Sequence, residues 1–572
     1  MQRLDDGDFL KQTPSNIKKI FDFTTLYQRS VGGFAAVILA LSAMVGSGIF
    51  VLPALASKEL YTASGSIEGS YAAVWLAYIL AGMVVIPGAI SKAELSSAMP
   101  KSGGAYVYIE RTFGPIIGTI SGLGLWASFM LKSAFALIGF SAYVIAIEGS
   151  LGIEFTDTTA KILAIFILIT ITAINIRGVG LLKKILTPII LVAVSIVILV
   201  AIMAFSNGSA ELSRAPLDAA INLMGSTAGW RGLGSASAYV FLAYVGIIKI
   251  AAVGEDVVEP ERNLPIGMFY SLGIAMFLYA GISYTLFSVF DGASLGIGDG
   301  GYPTKAPMYS LALEVGGSTI AFIIAIFAIL TMSGGGLTGL LGASKFPFAM
   351  SRDKLLPKEL EDTHPKYETP HRSIYGTSIC MGFAIIFLDV ATVAKLASGF
   401  MLMIFTAVNL CVIVIRRVET EHTWYQPKYR LQSSLFTQYF GIFSSVALLI
   451  LMGINALIGA GSAIILGLIL YASYGKNHVT NTERPWNTFI SKITDNESEL
   501  MKAVTVFRAS DLENNNHLNL TEFTAAIRAL DWLPNEKDII RDFFHLLDEN
   551  KDGVLDIDEF LMVIRTMTAE EE

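Results

Sequence analysis

Apolar stretches of roughly 20 residues recur along the first 475 positions of this 572-residue chain, each long enough to cross a bilayer. Backbone in hydrocarbon must satisfy its own N–H and C=O groups, which restricts such a chain to a bundle of membrane helices or a closed barrel, and runs of this length select helices. Charged residues make up 15% of the chain and hydrophobic ones 53%, where a soluble domain carries about a quarter charged. Twelve spans are expected, at about 33–57, 71–98, 115–148, 160–176, 185–205, 237–256, 266–290, 307–341, 373–389, 391–415, 435–453 and 456–474. The expected architecture is an all-α membrane protein of 12 transmembrane helices with a small cytosolic α-helical domain behind it. Its expected divisions are a cytosolic N-terminal segment 1–30, a membrane domain 31–475, a linker 476–496 and the small domain 497–572.

An even number of spans puts both termini on one side, and basic residues say which. Lys18, Lys19 and Arg29, Lys101 and Arg111, Arg177, Lys183 and Lys184, Arg352 to Arg372, and Arg416 to Arg430 fall in one set of loops. The opposite set has only Lys58, Arg214, Arg231 and Lys305, with an acidic excess that includes Glu59, Glu68 and Asp291. Both termini are therefore expected in the cytosol, in a multi-pass protein of the plasma or inner membrane. Ser491–Glu572 holds 19 Asp/Glu against 8 Lys/Arg, a net of −11; taking that from the −8 of the whole chain leaves +3 for the remainder. Cys380 and Cys411 both sit in apolar runs and imply neither a disulfide framework nor a zinc site. Asp5, Asp6 and Asp8 precede any apolar run, unlike a cleaved signal peptide, so the first span is expected to persist.

Two spans interrupt their own helices. The first contains Val45–Phe50 (VGSGIF), with two glycines and a serine in a hydrophobic run. Small residues there suit close helix packing. They equally suit an unwound segment whose freed N–H groups face a carboxylate. The sixth contains Tyr239–Ile250 (YVFLAYVGIIKI), with Gly246 and Lys249 at membrane depth. Broken first and sixth spans, five apart, are what an inverted five-plus-five repeat predicts, with a transport site between the breaks.

Four stretches carry a resemblance over about residues 30–475. They are Gly46–Phe50, then Ala93–Leu95 leading to Pro100–Tyr106 (PKSGGAY), then Glu255-Asp256 leading to Asn263–Pro265, and Met350–Pro357 (MSRDKLLP). In that order and spacing the chain resembles the amino acid–polyamine–organocation superfamily of secondary transporters. The resemblance implies a zwitterionic amino acid lying across the two broken helices. Ser47, Gly48 and Ile49, next to Gly46, would offer N–H groups to its carboxylate. Carbonyls near Met44, Leu242 and Val245, beside Gly246, would accept from its ammonium. Phe241 and Tyr244 would wall or gate the side chain, ordinary packing being the alternative. Relatives that favour cationic substrates often carry an acid two positions after the motif glycine, where this chain has Ile248 and then Lys249. Charge repulsion then favours neutral amino acids.

Lys249 is the expected ion-coupling group, since intramembrane ionisable residues are functional by default. A snorkelling lysine, or one paired with Glu255, is the plainer reading. Lys249 makes the proton the favoured coupling ion, while Thr331 and Ser333 either offer oxygens to a sodium site or pack, so sodium stays open.

The tail carries Asp548–Glu559 (DENKDGVLDIDE), which matches the calcium-loop pattern D-x-[DN]-x-[DN]-G-x₅-E. Its expected ligands to Ca2+ are Asp548, Asn550, Asp552, the Val554 carbonyl, Asp556 and Glu559. Upstream, Asp511, Glu513, Asn515, His517, Asn519 and Glu522 form a loop of equal length, spaced to pair with it as an EF-hand pair. There Asn516 stands in the glycine position and Glu513 replaces the usual shorter ligand, so this first site is expected to be weaker. Leu518 and Leu555 occupy matching positions and are expected to meet in a short ribbon.

No phosphate loop, nucleic-acid patch or nucleophile–base constellation is present, so an enzyme is not expected. The function expected is secondary active transport of neutral amino acids, proton-driven and tuned by cytosolic calcium. An exchanger of amino acids or polyamines, and a non-transporting amino acid and calcium receptor, are the alternatives. Expected partners are the amino acid, a proton or sodium ion and the lipid bilayer; nucleic acid is excluded and homo-oligomerisation is left open.

Overall fold

A computed structural model describes residues 33–561 apart from 100–102, 148–155, 179–181, 210–214, 248–256, 293, 298–303, 420–421, 423, 432–434, 480–483, 512–514, 516, 531–536, 549–550 and 558. The chain divides into two compact units, Met1–Thr482 and Glu483–Glu572. Among the described residues the regular structure is helical and no strand forms.

The first unit begins with an interrupted helix, α1 (Gly33–Met44), α2 (Ser47–Phe50) and α3 (Leu52–Ala63). It continues through α4 (Val74–Ala98), α5 (Ala105–Phe113), α6 (Pro115–Ala146), α7 (Asp157–Arg177), α8 (Leu182–Ser206), α9 (Ala215–Met224) and α10 (Thr227–Tyr244). Then come α11 (Pro260–Val289), α12 (Pro307–Arg352), α13 (His371–Phe387), α14 (Val390–Arg417), α15 (Phe436–Leu451) and α16 (Ile454–Leu470). Among the described residues, eight helices are long and apolar enough to cross a membrane, and Phe436–Leu451 is a shorter apolar one.

Where these helices meet no other part of the unit, the bare face is apolar. Ile162, Phe166 and Ile169 line α7, Leu199 and Ile202 line α8, and Phe436, Phe440 and Phe443 line α15, all exposed. The helical spacing makes continuous stripes, which water would not tolerate and lipid would solvate. At the centre α6 packs on α12 at a separation that excludes a side chain. A Cβ added at Gly339 would lie 1.8 Å from the Ser133 hydroxyl.

Two element ends differ from the sequence expectation. The helix after the first break runs to Ala63, six residues past the expected boundary at 57. Lys58 and Glu59 look like loop residues, but Glu59 is satisfied at the helix surface by Lys395 and Ser235. The eighth span continues as helix to Arg352, and Gly317 (φ 72°) kinks it near its start.

The second unit holds α17 (Pro485–Ser510), α18 (Leu520–Leu530) and α19 (Lys537–Leu547). Helix α17 runs unbroken across residue 496, the expected end of the linker. Phe507, Phe523, Ile527, Ile540, Phe544, Leu547 and Phe560 form its buried core. Leu518 and Leu555 meet there as an antiparallel bridge, with N···O distances of 2.8 and 2.9 Å.

Candidate substrate site between two broken helices

The first break is made by Gly46, whose φ of 153° and ψ of −124° suit a residue without a Cβ. Helix resumes at Ser47, with the amides of Ile49 and Phe50 both donating to the Gly46 carbonyl at 3.1 Å. The Ile49 N–H is therefore engaged in this conformation, while Ser47 and Gly48 open the new first turn, where intrahelical acceptors run out. On the other side α10 ends at Tyr244, with Val245 N–H reaching back to Leu242 O at 3.4 Å.

The two breaks touch. A Cβ at Gly246 would fall 2.4 Å from the carbonyl carbon and oxygen of Ala43 and 2.5 Å from the Met44 nitrogen. A Cβ at Gly48 would meet Ala243 Cβ at 3.0 Å and the Tyr279 hydroxyl at 3.2 Å. Met44, Ser47, Ile49, Phe241, Leu242, Tyr244 and Val245 are all buried around this meeting point. The rings of Phe241 and Phe405, the latter on α14, meet edge to face with centroids 5.0 Å apart. Lys249, with Ile248, Glu255 and Asp256, lies outside the described residues.

Three tyrosines that sequence reading passed over hold the half-helices. The hydroxyl of Tyr78 donates to Gly48 O at 2.9 Å, that of Tyr143 to Phe50 O at 2.8 Å, and that of Tyr279 to Ala243 O at 3.4 Å. Tyr244 in turn donates to Tyr78 O at 2.8 Å. A signal for them existed: a phenol in mid-membrane needs a partner for its hydroxyl, and backbone carbonyls near a break are the natural acceptors.

A second omission is Lys132, on α6 inside a long apolar helix. Its ammonium donates to Ala43 O, at the edge of the first break, at 3.3 Å. Both border a cavity of about 20 Å³, also lined by Ser47, Ser133, Thr331 and Thr338, which admits about one water-sized species. The Thr331 hydroxyl faces no hydrogen-bond partner among the described residues, whereas Ser333 donates back to Ile329 O at 2.8 Å. Any lysine at membrane depth is a functional candidate, and the signal for this one was its charge inside an otherwise apolar run.

Helix α14 is tied at both ends. Near its start Lys395 pairs with Glu59 on α3 at 2.9 Å, and Ser235 on α10 donates to the same carboxylate at 2.7 Å. Near its end Arg416 grips Glu94 on α4 through two bonds of 2.8 and 2.5 Å. Tyr425 adds a third bond to Glu94 at 2.8 Å. Burial and then the adjacent Glu94 carboxylate push the Tyr425 phenol well above its ordinary range.

In the tail, Asp548 accepts from the amides of Asp552 and Gly553 at 3.1 and 3.0 Å, and Asp552 from Val554 at 3.0 Å. Asp556 and Glu559 exchange bonds of 2.9 and 3.1 Å, and Gly553 takes φ 83° as a calcium loop's turn requires. The first loop repeats this pattern. Asp511 accepts from Asn515 at 3.1 Å and Asn515 from His517 at 2.9 Å, while Asn519 and Glu522 exchange bonds of 3.0 and 3.1 Å. Glu513 and Asn550 lie outside the described residues. Among those described, no three His, Cys, Asp or Glu side chains converge as a metal cage. The donor chemistry still suits a hard cation, because Asp548, Glu522 and Glu559 are buried carboxylates aimed into their own loops.

Broken helices in contact backbone to backbone, within a bundle of apolar helices, are the layout of a carrier. A family model described as amino acid permease matches residues 31–490. The chain belongs to the amino acid permease family. An EF-hand domain pair matches residues 500–565. Curated relatives of this permease include the methylthioribose transporter of Bacillus subtilis, 28% identical over 69% of this chain and 82% of that protein. The branched-chain amino acid permease BcaP of the same species is 27% identical over the same shares. The chloroplastic cationic amino acid transporter 7 of Arabidopsis thaliana is 25% identical over 69% of this chain and 67% of its own. These relatives are transporters, and the permease is not an enzyme.

Proposed function

We propose that this permease is a secondary active transporter of neutral amino acids that works by alternating access, is driven by protons and is tuned by cytosolic calcium. The contact of the two breaks at Gly246 and Gly48 carries the reading. It leaves a zwitterion room to bind only if the half-helices part, which is the motion alternating access needs. Counting α1–α3, α10, α13 and α15 with the eight longer helices gives twelve spans, a number that supports the reading as a five-plus-five inverted repeat. The basic loops support a reading with both termini in the cytosol, and a plasma or inner membrane is the membrane we propose.

Ser47 and Gly48 would hold the carboxylate of the substrate, carbonyls near Met44, Leu242 and Val245 its ammonium, and Phe241 and Tyr244 its side chain. Lys132 beside Ala43 supports both a neutral substrate and independence from sodium, since a positive charge there opposes a second cation. Lys249 remains our candidate for proton coupling. The name of the branched-chain relative agrees with a neutral substrate. Calcium, bound by Asp548, Asn550, Asp552, Val554, Asp556 and Glu559, would neutralise a charge-dense loop and reorient its helices; the loop from Asp511 to Glu522 would bind more weakly.

Uptake of radiolabelled amino acids into liposomes holding the full chain, across an imposed pH gradient and with or without micromolar calcium, tests this. Gradient-driven uptake of neutral amino acids that calcium changes, with the change lost in Glu559→Gln, is the expected result. Preference for arginine overturns the substrate reading. Indifference to calcium reduces the tail to a structural or buffering role, and failure to move any amino acid leaves the receptor reading.

A further inference from the structure

Another lysine is buried at membrane depth, away from the small cavity. Lys92 lies on α4, is fully buried, and its ammonium has no hydrogen-bond partner among the described residues. What it touches is a ring face: Nζ sits 3.3 Å from the centroid of Phe405 on α14. Phe405 is wedged against α4 so closely that a Cβ at Gly88 would lie 2.1 Å from its Cδ1. The same ring meets Phe241, on the half-helix α10, edge-on at 5.0 Å. Lys92, Phe405 and Phe241 thus form a continuous line from a buried amine to the wall of the substrate site.

Among the described residues no counter-charge serves Lys92. On its own helix, Glu94 is held by Arg416 of α14 and by Tyr425. Cys411 on α14 is a buried thiol, and Tyr239 and Tyr244 of α10 and Tyr279 of α11 are phenols. Glu59 of α3 is on Lys395, and Tyr439 of α15 is exposed. An ammonium in this place is stabilised by the ring quadrupole; once the ring leaves and water reaches the amine, that hold on the proton is gone.

We propose that Lys92 is a proton-carrying residue of the transport cycle, loaded while Phe405 covers its amine and unloaded when movement of Phe241 draws that ring away. On unloading, the N–H proton passes to water on the side open at that step and leaves a neutral amine. Reloading takes one proton from water on the other side. The inference rests on the proton-driven reading above and adds to Lys249 a second residue that carries the proton, with the ring that gates it.

The test uses the full chain in liposomes with a trapped pH dye and radiolabelled L-leucine, L-alanine and L-methionine. In Lys92→Met, accumulation against a gradient and the accompanying proton influx fall by about tenfold or more, while leucine counterflow, which needs no net proton movement, persists. Phe405→Leu keeps the amine but removes the ring, so the midpoint of the pH profile moves to lower pH by about one unit, tenfold in proton affinity. Wild-type proton influx in Lys92→Met overturns the inference; should that variant not fold, an unshifted midpoint in Phe405→Leu overturns it equally. A wild type that accumulates amino acid without proton influx removes proton coupling as a whole, and one that moves none of the three removes the transport reading.

Discussion

A single methyl group at Gly246 tests whether the two breaks must touch. Its Cβ would sit 2.4 Å from the Ala43 backbone, which cannot yield as a side chain can. Overpacking of this kind costs roughly 1–3 kcal/mol, and here it must push the half-helices apart. Gly246→Ala is expected to lose leucine counterflow while staying folded, as read by uptake and a thermal-unfolding assay on the same preparation. Gly48→Ala, with side-chain neighbours at 3.0 and 3.2 Å, should keep part of its activity. Tyr78→Phe removes the donor to Gly48 O; a buried acceptor left alone costs about 1–3 kcal/mol, so its melting temperature should fall. The glycines were legible in the sequence because small flexible residues stand out in an apolar run. The tyrosines and Lys132 were not, because their meaning lies in which carbonyl they reach.

At the scale of elements, α14 is tied across the bundle by an ion pair near each end. The Glu94–Arg416 bridge is dry: 0% and 7% of the two side chains are exposed. Glu94→Gln leaves a buried guanidinium without its counter-charge, which costs roughly 3–5 kcal/mol and should be seen as a marked drop in melting temperature. The Lys395–Glu59 bridge keeps more solvent, 22% and 17% exposed, so Lys395→Met should cost little stability and act on opening rates instead. Asp389 caps the start of α14 by accepting from the Thr392 amide at 3.0 Å and hydroxyl at 2.6 Å. Burial alone would raise its carboxyl, but the bonds from Thr392 outweigh it and hold the group below its ordinary range. The folded value is depressed, so this stability is present above the unfolded value of about 3.9 and is lost as pH falls through the folded one. Asp389→Asn should cap without titrating, and its melting temperature should fall less than that of the wild type over that acid range.

For the molecule as a whole, two units with opposite chemistry share one chain. The membrane unit has apolar faces and a slight positive balance; the tail has a net −11 and its own aromatic core. If calcium acts through the tail, Glu559→Gln should weaken calcium binding by about tenfold or more and leave uptake in calcium-free buffer unchanged. Calcium titration of tail protection from protease, run beside uptake, checks both halves of that expectation.

Helical membrane character, the broken first and sixth spans, the paired loops and the Leu518–Leu555 bridge were all readable from local pattern, since each depends on periodicity or spacing within a short stretch. The helix end at Ala63 was not, because Glu59 there is satisfied by Lys395, far along the chain; nor was the extension of the eighth span to Arg352. Nor were Lys132 at the first break, Lys92 over Phe405, or Glu94 between Arg416 and Tyr425. A buried charge looks the same in sequence whether it packs, pairs or carries a proton. Only the tertiary fold decides which, because it alone sets the oxygen, ring or counter-charge that each one meets.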